Sequence, residues 1–222
     1  MRPFADIRDE AALRHGGEQA LLEKLPIPAT EDELRRRPES DYLSLMSRRI
    51  FRAGLRHSMV DDKWPAFEQL FHGFDIEAVR LMSDEDLEQL LADKRIIRHW
   101  GKIKSVRSNA QAIAELGETH KTVGEYLAEW PSDSIVQLWD DLKRRFSQLG
   151  GNSGPYFLRM AGKDTFLFTV DVVRALNRWG GLTGEPRGKR ARLTAQQSFN
   201  QWAEESGLPM CQISRILALS VD

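Results

Sequence analysis

Residues 150–179 read GGNSGPYFLRMAGKDTFLFTVDVVRALNRW and open with a glycine-rich turn. The segment ahead of them, residues 138–146, is amphipathic at helical spacing. The glycines interrupt that periodicity, and Asn152 or Ser153 can cap a second helix that runs through Met160. This stretch therefore predicts a helix, a short turn and a helix.

The second half of the stretch predicts another helix after an extended connection. An apolar run at residues 165–170 leads to Asp171, whose carboxylate can cap a helix that continues to Trp179. The pair Gly180 and Gly181 ends this helix, because glycine readily adopts the backbone conformation that terminates helices.

The remainder of the chain is also helical in pattern. Ser83 and Asp86 form a capping-box sequence, residues 102–116 have an apolar face that we expect to end at Gly117, and residues 210–219 form an apolar helix. Strand-like alternation and repeats of fixed length are both missing from the sequence. We therefore expect a mainly α fold.

Composition restricts the classes of function. The 222 residues carry a formal net charge of −1, so binding of nucleic acid would depend on local basic clusters. Cys211 is the single cysteine, which excludes an internal disulfide and any cysteine-rich metal site and predicts a small buried side chain. No apolar run approaches the roughly 20 residues that span a bilayer. We expect a cytoplasmic protein without a cofactor.

Three segments carry a resemblance to a known superfamily. Residues 150–159, 163–167 and 170–178 follow the order hairpin, helix, extended loop, aspartate, helix. This order resembles the helix-hairpin-helix superfamily of DNA glycosylases. The resemblance implies a two-lobed helical fold of the HhH-GPD type, with a central helix-hairpin-helix.

Two further segments resemble one branch of that superfamily, the bacterial 3-methyladenine DNA glycosylase I family. They are residues 96–103, followed by Asn109 and Ala110, and residues 53–55, which precede two aromatic residues. Together the resemblances cover residues 42–180. We accordingly divide the chain into an N-terminal lead-in at 1–40, a glycosylase core at 41–182, and a basic loop with a C-terminal helix at 183–222.

The resemblance assigns roles to the hairpin and to the aspartate. Backbone N–H groups of Gly150, Gly151 and Asn152 would approach a DNA phosphate, although glycines also occur in ordinary helical corners. Asp171 would be the catalytic carboxylate that stabilises positive charge on the sugar. The alternative for Asp171 is a helix cap without a chemical role.

Other residues are expected to contact DNA. Leu55 corresponds to the wedge that fills the space left by a flipped base, although its spacing fits a core leucine equally well. Basic side chains on the loop before the last helices, and those of the helix at 102–116, could neutralise phosphates or simply be solvated. The basic loop residues are Arg187, Lys189, Arg190 and Arg192.

The sequence also departs from the branch it resembles. That branch holds zinc through cysteine and histidine near both termini, and this chain lacks those residues, so we expect no metal. Arg49 stands where the branch has a pocket glutamate, and His57 stands where it has a tryptophan. With Phe51, these residues are the expected base pocket, unless Arg49 faces outward. A guanidinium would not favour a cationic base, so the pocket is rearranged, prefers a neutral base, or has lost activity.

The expected chemistry is hydrolysis of the N-glycosidic bond without strand cleavage. Bifunctional members of the superfamily carry a nucleophilic lysine at the position of Asn152. The sequence therefore predicts a monomeric, monofunctional glycosylase that excises a damaged, alkylated base from double-stranded DNA. Two alternatives remain, an inactive DNA-structure-binding protein of the same fold and a helical interaction domain without a nucleic-acid role.

Overall fold

The computed structural model describes residues 1–119 and 121–222. Within these ranges the chain forms fifteen α-helices and no strand, which confirms the mainly α fold class. The helices are α1 Phe4–Arg14, α2 Glu18–Leu22, α3 Glu31–Arg36, α4 Glu39–Arg52, α5 His57–Asp62, α6 Trp64–Leu70, α7 Ile76–Arg80, α8 Asp84–Ala92, α9 Trp100–Glu118, α10 Val123–Glu129, α11 Ile135–Arg145, α12 Ser153–Met160, α13 Val170–Trp179, α14 Gly188–Ser206 and α15 Met210–Leu219. None of them, in the part of the chain described, is long and apolar enough to cross a membrane.

Local capping signals set several helix ends. The predicted capping box at Ser83 and Asp86 is present at the start of α8, and a second one, Thr30 with Glu33, starts α3. Gly180 ends α13 in the left-handed conformation, with φ of 79°. These ends depend on hydrogen bonds between residues only a few positions apart.

Other helix bounds differ from the predicted ones. Helix α9 begins at Trp100, where the His99 side chain accepts a hydrogen bond from the Lys102 N–H, and it passes through Gly117 before it ends at Glu118. A lone glycine weakens a helix by about 1 kcal/mol relative to alanine but does not have to end it. The predicted basic loop is also partly helical, because α14 begins at Gly188.

The described chain divides into two compact units. Unit 1 contains residues 1–29, 130–138 and 162–222, and unit 2 contains residues 30–129 and 139–161. This division differs from the predicted domain bounds: residues 1–29 belong with the C-terminal helices and do not form a separate lead-in. The hairpin turn lies in unit 2.

Aromatic rings form the centre of unit 2. Phe51 and Phe67 have ring centroids 4.5 Å apart, and Trp64 stacks on Phe67 at 4.9 Å and on Phe74 at 5.5 Å. All four side chains are at most 4% exposed. Rings of this size dominate core energetics, so they fix α4 against α6 and the 3₁₀ turn that follows it.

Unit 1 has its own aromatic core. The Phe166 ring, in the extended segment before α13, stacks on Phe199 of α14 with centroids 4.0 Å apart. Trp202 packs edge-on to Phe199 and lies 6.4 Å from Phe4 of α1. Helix α13 packs against α15, and α1 packs against both α14 and α15. These contacts explain why the N-terminus belongs to this unit.

A buried asparagine on α9 holds the hairpin turn in place. Asn109 is 0% exposed, and its Oδ1 accepts a hydrogen bond from the Ser147 N–H at 2.7 Å. Its Nδ2 donates to the Ser147 carbonyl at 3.2 Å. The following residue, Gln148, donates from Nε2 to the Gly101 carbonyl at 2.6 Å. The turn therefore depends on side chains and carbonyls of a distant helix.

We predict that Asn109→Ala destabilises the protein by about 1–3 kcal/mol, because it leaves the partly buried N–H and carbonyl of Ser147 without their Asn109 partner. Urea unfolding and amide hydrogen exchange at Ser147 measure the effect. Gln111→Ala is the matched control on the same helix, since Gln111 is exposed and bonds only to Glu115. Equal midpoints for the two variants would show that the Asn109 amide does not hold the turn.

Candidate functional site

Unit 2 has an open cleft of about 470 Å³ between the end of α4 and the side of α12. The residues that line it are three arginines, a histidine, a tyrosine and the loop formed by residues 53–55. They are Arg49, Arg52, Ala53, Gly54, Leu55, Arg56, His57 and Tyr156. The described lining includes three arginines and no carboxylate. One of the three, Arg52, bonds to Asp61, so the cleft keeps a net positive charge from the other two.

Arg49 lies in this cleft and is held by an aromatic ring. Its guanidinium carbon is 4.6 Å from the centroid of the Tyr156 ring on α12, which is a cation–π contact. The Arg49 Nε is buried and has no hydrogen-bond partner. Burial lowers the pKa of the Arg49 guanidinium. The cleft therefore contains a partly desolvated cation without a protein acceptor at Nε.

The two neighbouring arginines of α4 share one carboxylate instead. Arg52 makes two short contacts with Asp61 through Nη2, at 2.7 and 2.6 Å, and Arg48 donates from Nε at 2.9 Å. The hydrogen bonds from Arg52 hold the pKa of Asp61 below its ordinary value. Asp61 thus pairs with the residues on both sides of Arg49 and not with Arg49.

Lys102 fixes the loop that borders the cleft. Its ammonium donates to the carbonyls of Phe51 and Ala53, at 3.2 and 2.7 Å. The residue is only 8% exposed, so the expectation that the basic side chains of the helix at 102–116 are available to solvent or phosphate is wrong for Lys102. A cation at the carbonyl end of α4 satisfies acceptors that have no partner within the helix. Burial, followed by the charge of Arg49, lowers the pKa of Lys102.

The remaining pocket residues take different positions. His57 is exposed and lines the cleft, and Leu55 is half-buried at its rim. Phe51, in contrast, is 0% exposed and packs on Phe67, so it belongs to the core and does not line the cleft. A residue two positions after Arg49 on a helix points to a different face, which is the physical reason for this correction.

The hairpin turn has the geometry of a tight connection. Gly151 has φ of +59° and is exposed together with Asn152, while Gly150 lies against the Lys143 side chain. Gly154 is required by space, because a Cβ there would lie 2.9 Å from the Leu149 carbonyl oxygen. Asn152 occupies the N-cap position of α12 but makes no side-chain capping bond. The turn thus presents exposed backbone at the start of a helix.

Asp171 lies in unit 1, in the first turn of α13. Thr169 is the N-cap, and its hydroxyl accepts from the Val172 N–H at 3.2 Å, so the expectation that Asp171 opens the helix as its cap is wrong. Asp171 is exposed, with a 3.5 Å contact to the Arg174 guanidinium. Capping therefore does not account for this carboxylate.

Asp164, seven positions before Asp171, has a structural role. Asp164 accepts hydrogen bonds from the backbone N–H groups of Met210 and Cys211, at 3.0 and 2.8 Å, at the start of α15. Its carboxylate covers the free N–H groups of that helix end. Of the two aspartates, Asp171 is the one left exposed.

The basic cluster lies at the start of α14. Arg187 is the N-cap residue, and Lys189 and Arg190 are exposed in the first turn, while Arg192 is half-buried. Cations at a helix N-terminus are opposed by the helix dipole, and α14 has no acidic residue in its first turn. An anionic partner would relieve this repulsion.

The zinc that the family resemblance implies does not fit the residues present. In residues 1–119 and 121–222 no group of three or more histidine, cysteine, aspartate or glutamate side chains could hold a metal ion. Cys211 is 1% exposed within α15, with its Sγ 3.9 Å from the Pro26 carbonyl oxygen. The prediction that Cys211 is a buried side chain is confirmed.

Sequence reasoning missed the roles of three residues that shape this site, namely Lys102, Asn109 and Tyr156. Lys102 and Asn109 are seven positions apart and share a helical stripe with Val106 and Ile113, so they border the apolar face of α9. That spacing was the available signal. The contact between Tyr156 and Arg49 joins residues 107 positions apart and has no local signal.

Comparison with known proteins places the chain in a family. A family model described as methyladenine glycosylase matches residues 36–148, which is just over half of the 222 residues. DNA-3-methyladenine glycosylase 1 of Escherichia coli (strain K12) is 41% identical over 64 residues, 29% of this chain and 34% of that protein. The match thus spans about a third of the length of this curated relative.

Solved structures show the same fold at lower identity. A 3-methyladenine DNA glycosylase I crystal structure aligns with a TM-score of 0.50 and 24% identity, over 63% of this chain and 83% of that one. The enzyme from Staphylococcus aureus aligns with a TM-score of 0.52 and 21% identity, over 70% and 91% of the two chains. The family match and the shared helical fold agree, and the chain belongs to the methyladenine glycosylase family.

Proposed function

We propose that this chain is a monofunctional DNA glycosylase that hydrolyses the N-glycosidic bond of a damaged base, of the alkylated class, in double-stranded DNA. We also propose that it acts as a monomer in the cytoplasm. The relative in Escherichia coli is named as a DNA-3-methyladenine glycosylase, and membership of the family supports the same type of reaction here.

The position of Tyr156 is the observation that carries the proposal. Tyr156 lies in the first turn of α12, and its N–H donates to the Asn152 carbonyl at 3.1 Å in the hairpin turn. The same residue lines the cleft and holds Arg49. A duplex bound at the turn would therefore have its backbone next to a pocket that can accept an extruded base.

Phosphate contacts are proposed at two places. The exposed backbone of Gly151 and Asn152 lies at the positive end of α12, where N–H groups and the helix dipole favour an anion. The cations at the start of α14 would add a second set of contacts. Both are local, which reconciles DNA binding with a net charge of −1.

Leu55 is proposed as the side chain that enters the space left by the flipped base. It lies at the rim of the cleft, on the loop that Lys102 fixes through the Ala53 carbonyl. A leucine that is only half-buried can insert between stacked bases of a duplex and lose little of its packing against the protein.

Asp171 is proposed as the catalytic carboxylate. The bond between the sugar C1′ and the base nitrogen breaks, its electron pair goes to the base, and a water oxygen bonds to C1′ and loses a proton. Positive charge builds on the sugar during this step. A fixed carboxylate stabilises that charge more in the transition state than in the ground state, which is the requirement for catalysis.

We predict that Asp171→Asn lowers excision about a hundredfold or more, because it removes one electrostatic stabiliser of the transition state. Single-turnover release of the base measures this, and binding to a duplex with an abasic-site analogue should persist. Thr169→Ala is the control: it should lose about 0.5–2 kcal/mol of stability with the carboxylate intact and keep its excision rate below the unfolding temperature. Excision at the parent rate by Asp171→Asn would remove Asp171 from the mechanism.

We predict that replacing Lys189 and Arg190 with alanine reduces the slope of log affinity against log salt by up to about 1.8, at about 0.9 per lost phosphate contact. The control replaces Arg35 and Arg36 of α3 with alanine. It removes the same charge, but these two arginines are paired with Glu31 and Asp32. An unchanged slope in the first variant would remove the start of α14 from the interface.

We predict that borohydride traps no covalent adduct, because Asn152 carries no amine and the product is an intact strand with an abasic site. Asn152→Lys, tested on the same duplex, shows whether an amine at this position can be trapped. Lys143 lies against the turn, where its Cγ would be 3.3 Å from a Cβ at position 150. An adduct formed by the parent and lost in Lys143→Met would identify Lys143 as a nucleophile and contradict the proposal.

A further inference from the structure

Arg49 differs from every other arginine of α4 in its partners. Arg48 and Arg52 are paired with Asp61, whereas no described carboxylate pairs with Arg49. Its ring contact with Tyr156 supports the cation but does not cancel its charge. The result is a partly desolvated guanidinium in the cleft that has no described carboxylate partner.

The surroundings strengthen this positive field. Lys102 carries a second positive charge at the border of the cleft, where its ammonium donates to the carbonyl of the lining residue Ala53. Arg56 is exposed on the lining, and the described lining includes no acidic residue. Charges act more strongly at such a partly buried site than in bulk water, so a cationic base would be repelled there.

The same geometry favours a hydrogen-bond acceptor. A guanidinium presents planar N–H donors that match adjacent acceptor atoms, such as a carbonyl oxygen and a ring nitrogen of a purine. The Tyr156 ring holds the Arg49 group in place, so less freedom is lost when such a base binds. A neutral base with acceptor atoms thus complements what the cleft provides.

The chemistry of departure leads to the same conclusion. A cationic base leaves the sugar as a neutral molecule and needs no further charge stabilisation. A neutral base takes the electron pair of the broken bond and leaves as an anion, until it takes up a proton such as the one released by the attacking water. A guanidinium bonded to an acceptor atom of that base stabilises the developing negative charge.

We propose that Arg49 selects bases that are neutral while attached to the sugar and that present a hydrogen-bond acceptor, and that it rejects cationic alkylated bases. This inference rests on the glycosylase function proposed above and specifies its substrate class. It makes Arg49 both a binding residue and a stabiliser of the leaving base.

The test compares matched duplexes that differ only in the lesion. Two contain a neutral alkylated lesion with acceptor atoms, 1,N6-ethenoadenine or O6-methylguanine, and one contains the cationic 3-methyladenine. We expect the parent to excise a neutral lesion at least tenfold faster, by single-turnover rate. Arg49→Gln should lower that rate about tenfold or more and raise excision of the cationic lesion, because the repelling charge is gone, while Arg49→Glu should reverse the preference. Arg48→Gln, which removes an Asp61-paired charge from outside the cleft, should preserve the parent ratio.

Three results would overturn the proposal. The parent could prefer 3-methyladenine, or Arg49→Gln could lower excision of all lesions equally, which would indicate a structural role. Arg49→Gln could also weaken binding to every duplex, including undamaged DNA, and reduce the salt slope by about 1, which would identify Arg49 as a phosphate contact.

A binding measurement separates this proposal from the function on which it rests. Duplexes with 2′-fluoro nucleotides carry the same lesions and resist hydrolysis, so they report recognition without chemistry. Preference for the neutral lesions over 3-methyladenine, lost in Arg49→Gln, supports the selectivity even if the parent releases no base, in which case the glycosylase function fails alone. Equal affinity for all lesions, with excision observed, contradicts the selectivity alone.

Discussion

The buried ammonium of Lys102 is the constraint on which the arrangement of unit 2 depends. It donates to the carbonyls of Phe51 and Ala53, the last turn of α4, and a buried lysine is stable only while such acceptors surround it. Seven residues later on α9, Asn109 holds both backbone groups of Ser147. One helix therefore fixes the loop that borders the cleft and the turn of the hairpin.

The three arginines of α4 have different partners. Asp61 pairs with Arg48 and Arg52, whereas Arg49 contacts the Tyr156 ring in the cleft. Because Tyr156 belongs to α12, the helix that starts at the hairpin turn, the orientation of Arg49 is coupled to the turn. The positive charge of the cleft thus depends on Asp61 pairing with Arg48 and Arg52 and not with Arg49.

Unit 1 contains two aspartates in different situations: one caps a helix, and the other has an exposed carboxylate. Asp164 covers the free N–H groups of α15, and Thr169 covers those of α13. Asp171 lies in the first turn of α13 with its carboxylate exposed and only a long contact to Arg174. An exposed carboxylate can face the positive charge that develops on a bound sugar, which is the role proposed for Asp171.

The sequence alone determined the helices that rest on short-range interactions. The capping box at Ser83, the end of α13 at Gly180 and the bounds of α15 follow from hydrogen bonds and apolar spacing within a few residues. Tertiary structure alone decided that Lys102 is buried, because its acceptors come from a helix about fifty residues earlier. It also decided that Phe51 belongs to the core and that Arg49 has no carboxylate, since burial and ion pairing depend on which distant groups share the same space.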